Sequence, residues 1–132
     1  MNDKLIALIQ YRLKEADDSI NEAGVLLKEG MSMRAVINRL YYAMFYAVLA
    51  LLQQKQIGTS KHSGVISCFD KEFVKKGIFD KELSKSLHRA FELRQKGDYM
   101  EETEVTKEDV DDLFPKTIDF VNRVKSYLTK NK

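Results

Sequence analysis

The stretch from Leu40 to Leu52 is apolar or aromatic at every position, and no other part of the chain constrains the fold as tightly. A membrane-spanning helix needs about 20 such residues, and this run is shorter. It reads instead as the buried core helix of a bundle, apolar on more than one side. At about 100° per residue, Ile37, Tyr41, Met44, Val48, Leu51 and Leu52 share one face, expected to be core. Arg39, Tyr42, Ala43, Tyr46 and Ala50 share the opposite face. Small alanines there admit a neighbouring backbone, and an arginine with two phenols offers hydrogen bonds. This second face is expected to meet a partner helix, another protomer or a ligand.

The flanking sequence repeats the helical period. Leu5, Ile9, Leu13, Ala16, Ile20, Ala23 and Leu27 form one stripe in steps of three and four, which predicts a helix over about 3–28. Gly24 inside it points to local weakness or a close helix crossing. Ser32 is a good N-cap for the second helix, expected to run through Gln56. A third segment lies between Ser60 and Lys76, with Val65, Ile66, Phe69 and Phe73 inward. Asp80 caps a fourth, whose stripe of Leu83, Leu87, Ala90 and Phe91 is expected to end at Gly97; 98–105 then reads as a loop. Thr106 with Asp109 forms a shortened capping box for a fifth helix carrying Val110, Phe114, Val121, Val124 and Leu128. Pro115 within it is expected to kink it near Asp111. Gly30, Gly58, Gly77 and Gly97 read as helix stops, and no period-2 alternation supports a strand. The expectation is one domain over 1–132, an all-α up-and-down bundle of about five helices.

Composition removes several function classes. The formal net charge of +2 makes no bulk case for nucleic-acid binding. A single cysteine, Cys68, excludes an internal disulfide and a thiolate-rich zinc site. Two histidines nearly exclude a His-based metal centre, so neither a metal nor a cofactor is expected. The opening Met1-Asn2-Asp3-Lys4 lacks a signal segment, which predicts a cytoplasmic protein without membrane association.

Polar groups on apolar faces are the remaining clue. Arg94 falls at the centre of the fourth helix's apolar stripe, with Asp98 one turn later. A guanidinium there must be paired or must line a polar cavity; the plain alternative is an ordinary helix-end pair with Asp98. Arg39 has an equally plain reading as a snorkelling side chain, and Tyr42 and Tyr46 as a packed amphipathic interface. Lys61 and His62 lie where a helix N-terminus could meet an anion, although a capping segment explains them too. His88 points away from its stripe and reads as a surface residue, and Cys68 as a small hydrophobe.

Together these segments resemble a known family. The second helix, from Arg34-Ala35-Val36-Ile37-Asn38-Arg39 through Leu40-Tyr41-Tyr42-Ala43-Met44-Phe45-Tyr46-Ala47, is similar to the hallmark helix of HEPN-domain proteins. So are Lys61-His62-Ser63-Gly64-Val65-Ile66 and Phe91-Glu92-Leu93-Arg94-Gln95-Lys96-Gly97-Asp98-Tyr99. The similarity is strongest to the short stand-alone branch, resembling the HEPN partners of minimal nucleotidyltransferases. It implies a helical bundle that pairs into a symmetric homodimer. Many relatives are metal-independent endoribonucleases, often toxins encoded beside a nucleotidyltransferase antitoxin, while others bind nucleotides without cleaving. Nuclease members follow an arginine, after four to six residues, with a histidine that helps move the 2′-hydroxyl proton. Here Arg94 is kept, but Tyr99 stands at the first histidine position, and Tyr46 stands where many relatives carry histidine. A phenol with an ordinary pKa of about 10 is a poor base at neutral pH. The resemblance thus implies a dimer cleft binding a nucleotide or RNA phosphate through Arg39, Arg94, Tyr42, Tyr46, Lys61, His62, Asp98 and Tyr99. Arg94 is the best candidate for catalysis if any occurs. An active ribonuclease centred on Arg94, with His62 or Tyr99 as base, is the first alternative. A non-catalytic helical dimerisation module is the second.

Overall fold

A computed structural model describes residues 2–58, 61–99 and 105–130, the side chains of 97–99 excepted. These residues form five α-helices and one π-helical turn. They are α1 (Asp3–Lys28), α2 (Met33–Gln54), α3 (His62–Phe69) continuing into the π turn Asp70–Val74, α4 (Lys81–Tyr99) and α5 (Lys107–Lys130). No strand occurs among them.

The caps lie where local chemistry places them. The Ser32 hydroxyl accepts from Ala35 N at 3.2 Å, and Asp80 accepts from Glu82 N and Leu83 N. Thr106 and Asp109 exchange bonds, Oγ1 accepting from Asp109 N and the carboxylate from Thr106 N. Helix α1 ends in a Schellman motif, with Gly30 N donating to Leu27 O, Met31 N to Leu26 O, and Gly30 at φ 71°. The same pair of hydrogen bonds closes α2, but two residues earlier than the glycine pattern implies. Gln56 N donates to Gln53 O and Ile57 N to Leu52 O, with Gln56 itself at φ 58°. Gly58 is therefore not that stop. Gly97 is not a stop either, since α4 continues to Tyr99. In α5 the helix continues through Pro115.

Helix α2 is the axis of the bundle and packs against α1, α3, α4 and α5. By length and composition it could cross a membrane, but two thirds of its most apolar window is buried inside the bundle. Cross-links fix the helix directions. Glu22 meets Arg39 while the charges of Arg12 and Glu15 reach Tyr46, so α1 and α2 are antiparallel. Asp17 meets Lys125 at 2.7 Å while Gly24 lies beside Phe114, so α1 and α5 are antiparallel too. Asp80 with Arg123 and Arg89 with Asp109 do the same for α4 and α5. At the C-terminal end of α2, Lys55 lies over the Phe73 ring, within a cluster of Phe69, Phe73, Phe79, Phe120 and Tyr127. The candidate site occupies the N-terminal half of α2.

Candidate functional site

The second face of α2 divides between structure and site. Ala43 and Ala50 are fully buried, as are Ala16 and Ala23 on α1. Small residues let these two helices approach closely, which answers part of the question left by the sequence: a partner helix covers the alanines. Arg39, Tyr42 and Tyr46 stay half-buried at the rim of that contact.

Two elements complete the rim. The first residue of α3 is His62, whose ring stacks on Phe45 with centroids 4.4 Å apart. Tyr42 meets the same ring edge-on at 5.8 Å. The Tyr41 hydroxyl lies 2.7 Å from His62 Nδ1. From α4, the Arg94 guanidinium carbon sits 5.4 Å from both the Tyr41 and Tyr42 ring centres. Arg94 Nη2 donates to the Tyr42 hydroxyl at 3.4 Å, and Phe91, one turn earlier on α4, packs on Tyr41. Helical spacing therefore places Arg94 correctly on a packed face, where aromatic surfaces support its charge.

Arg39 approaches Tyr42 as well, its guanidinium carbon 5.1 Å from the ring centre. Its Nη1 donates to Glu22 and its Nη2 to Asn38 Oδ1. Tyr46 rests against Tyr42 and Phe45. Lys61 precedes α3 as an exposed side chain at the N-cap position. The side chains of Asp98 and Tyr99 lie outside the described residues, so the pair expected between Arg94 and Asp98 does too. Of the eight residues named from sequence, Arg39, Arg94, Tyr42, Tyr46 and His62 gather into one cluster.

Sequence reasoning assigned Tyr41 to the core and Phe91 to the apolar stripe of the fourth helix, and gave Phe45 no place in the site. Tyr41 is indeed fully buried, but its hydroxyl belongs to the site. The available signal was the phenol itself, since a buried tyrosine hydroxyl requires a polar partner. His88, expected at the surface, is exposed and pairs with Asp70 at 2.6 Å, and Asp70 also accepts from Ser84.

The protonation states follow from burial and the charges nearby. His62 titrates below its usual 6.5, first because burial disfavours the charged ring and then because Arg94 repels it. Burial raises the Tyr41 phenol strongly, with Arg94 opposing. Burial also raises Tyr46, and Glu15 adds to the effect. At neutral pH His62 is thus a neutral imidazole and Tyr41 and Tyr46 keep their protons, and with the guanidinium groups of Arg39 and Arg94 beside them the set suits an anionic ligand with aromatic parts. Among the described residues no three His, Cys, Asp or Glu side chains come together as a metal-ligand set. A separate groove of about 440 Å³ between α4 and α5 is lined by Lys85, Arg89 and Lys116. Each of those cations already faces a carboxylate.

Comparison with known proteins identifies the family. The family model of the HEPN domain matches residues 9–127. The chain belongs to the HEPN family. A "UPF0332 protein" of Thermotoga maritima is 41% identical over 97% of this chain and 96% of its own length. In Methanocaldococcus jannaschii, the protein named "Putative toxin MJ0142" is 44% identical over 91% of this chain and 81% of its own length. A second from that organism, "Putative toxin MJ0605", is 30% identical over 97% and 94%. The matched HEPN region includes every described residue of the cluster.

Proposed function

We propose that this HEPN protein binds a nucleotide or RNA phosphate at Arg94, in a cleft completed by a second copy of the chain. It acts as the toxin-like half of a pair with a minimal nucleotidyltransferase. The supporting observation is the setting of Arg94, a half-buried guanidinium held against the Tyr41 and Tyr42 faces beside the neutral His62. A cation oriented before the ligand arrives, with part of its hydration already removed, makes strong charge-assisted bonds to phosphoryl oxygens. Arg39 supplies a second guanidinium, and Tyr42 and Tyr46 offer ring faces to a base. The names of two relatives support a toxin-like role.

Binding rather than cleavage is favoured because Tyr99 stands at the first position where nuclease relatives carry histidine. A charge-assisted hydrogen bond contributes about 1.5–3 kcal/mol, so Arg94→Ala is expected to weaken binding of a fluorescein-labelled mixed-sequence RNA at least tenfold in fluorescence polarisation. Arg94→Lys, which keeps the charge and loses the planar fork, should recover part of it. Wild-type protein that ignores the RNA at low salt, or an Arg94→Ala variant that binds like wild type, overturns the reading. The ribonuclease alternative is read in the same samples by gel: RNA cleaved in the presence of EDTA, and left intact by Arg94→Ala, would establish it.

A further inference from the structure

The His62 ring is surrounded by groups that settle where its proton sits. From α2 come the Tyr41 hydroxyl, 2.7 Å from Nδ1, the face of Phe45 and the ring of Tyr42. From α4 comes the Arg94 guanidinium, close enough to repel a charge on the ring. Tyr41 is fully buried, and among the described residues its hydroxyl has this one hydrogen-bond partner. Its other neighbours are the aromatic rings of Tyr42, Phe45 and Phe91, and a guanidinium that can donate but not accept. Were the phenol to accept from Nδ1–H, its own proton would be buried with no acceptor among the described residues. The phenol therefore donates and Nδ1 accepts.

We propose that Tyr41 is a positioning residue that fixes His62 as the Nε2–H tautomer, making the ring a neutral hydrogen-bond donor beside Arg94 for a phosphoryl oxygen. The lowered His62 pKa and raised Tyr41 pKa keep both groups in those states at neutral pH. Both ring nitrogens are then committed, Nδ1 as acceptor and Nε2 as proton carrier. No lone pair is left to remove a proton from a 2′-hydroxyl, so His62 is excluded as a resting-state base. The ligand half of this inference rests on the phosphate-binding reading above; the tautomer does not.

Long-range 1H–15N spectra of histidine-labelled protein at pH 7.5 separate the two parts. Wild type is expected to give an unprotonated Nδ1 and a protonated Nε2 for His62. Tyr41→Phe, which keeps the ring and removes the hydroxyl, should spread the signal over both tautomers and weaken the labelled RNA several-fold. His62→Gln, which retains an N–H donor, should bind within a few-fold of wild type, whereas His62→Ala should not. A protonated Nδ1 in wild type overturns the assignment, as does an unchanged spectrum in a folded Tyr41→Phe protein. Should that variant fail to fold, the wild-type spectrum and the Gln–Ala pair still decide. The expected tautomer in a protein that ignores the RNA would sink the phosphate reading and leave the role of Tyr41 standing.

Discussion

Tyr41 and Leu40 are equally buried, but only Tyr41 carries a polar atom that has to be satisfied. That difference marks what a sequence discloses at the scale of single residues. The stripe position of Arg94 is legible, because a three-four period gives direction. The partner of Tyr41 is not, because it lies 21 residues away across a turn. His62 was equally hard to place: locally it opens a helix, and only the bundle puts Phe45 and Tyr41 against it. Arg94 also sets the acid response of His62. Arg94→Met removes the repelling charge while burial remains, so the His62 midpoint should rise toward 6.5 without reaching it. A 1H–13C titration of the imidazole Cε1 reads this directly, and an unmoved midpoint would contradict it. A depressed folded-state pKa means the unfolded chain binds more protons. The stability tied to His62 is therefore fully present above 6.5 and is lost as pH falls through the depressed value. The carboxylates Glu72, Asp80 and Asp109 act in the same direction, but only below their ordinary values of 4.5 and 3.8.

Among the helices, start signals were more legible than stops. Ser32, Asp80 and Thr106 cap as their chemistry dictates, since each bond spans three residues or fewer. Gln56 in the left-handed region was hidden because Gly58, two residues on, is the conformationally easier choice. Gly97 misled in the opposite sense and stays within α4. The π turn was invisible because Phe69 and Phe73, four residues apart, point inward in either kind of helix. Gly24 shows what a helical glycine can mean. A Cβ built there would meet Phe114 Cζ at 3.9 Å, an ordinary contact. Of the two readings the sequence offered, weakness or a close crossing, the second holds only in part: α5 lies against Gly24, with room for a methyl group. Gly24→Ala should raise stability by roughly 0.5–1 kcal/mol through helix propensity, read as a higher urea midpoint. A lower midpoint would mean that α1 and α5 approach more closely in solution.

For the whole molecule, net charge says nothing about where the cations lie. Many surface charges form local pairs, such as Lys14 with Asp18 and Lys107 with Asp111. Exposed pairs of this kind contribute little to stability. What matters is that Arg39 and Arg94 share one aromatic cluster. The five-helix plan was readable because each helix carries its own period. The homodimer was not read from such a period; it entered only with the family resemblance. If the cleft forms by pairing, light scattering should give twice the 15.3 kDa chain mass. RNA affinity should then fall when the protein is diluted below its dimer dissociation constant. A monomer that binds with undiminished affinity would remove the second copy from the mechanism.

The last two turns of α4 carry Arg94, and 52 residues separate it from the hydroxyl it contacts on α2. Nothing local holds these two groups together, so the cation is in place only while the end of α4 stays docked. Helix ends open more readily than helix centres, and each such opening would carry the guanidinium away from the tyrosines. Ligand occupancy and α4 fraying are thus opposite sides of one equilibrium. A bound phosphate would slow amide exchange along the last turns of α4, and a change that loosens that end would lower affinity without touching a ligand contact.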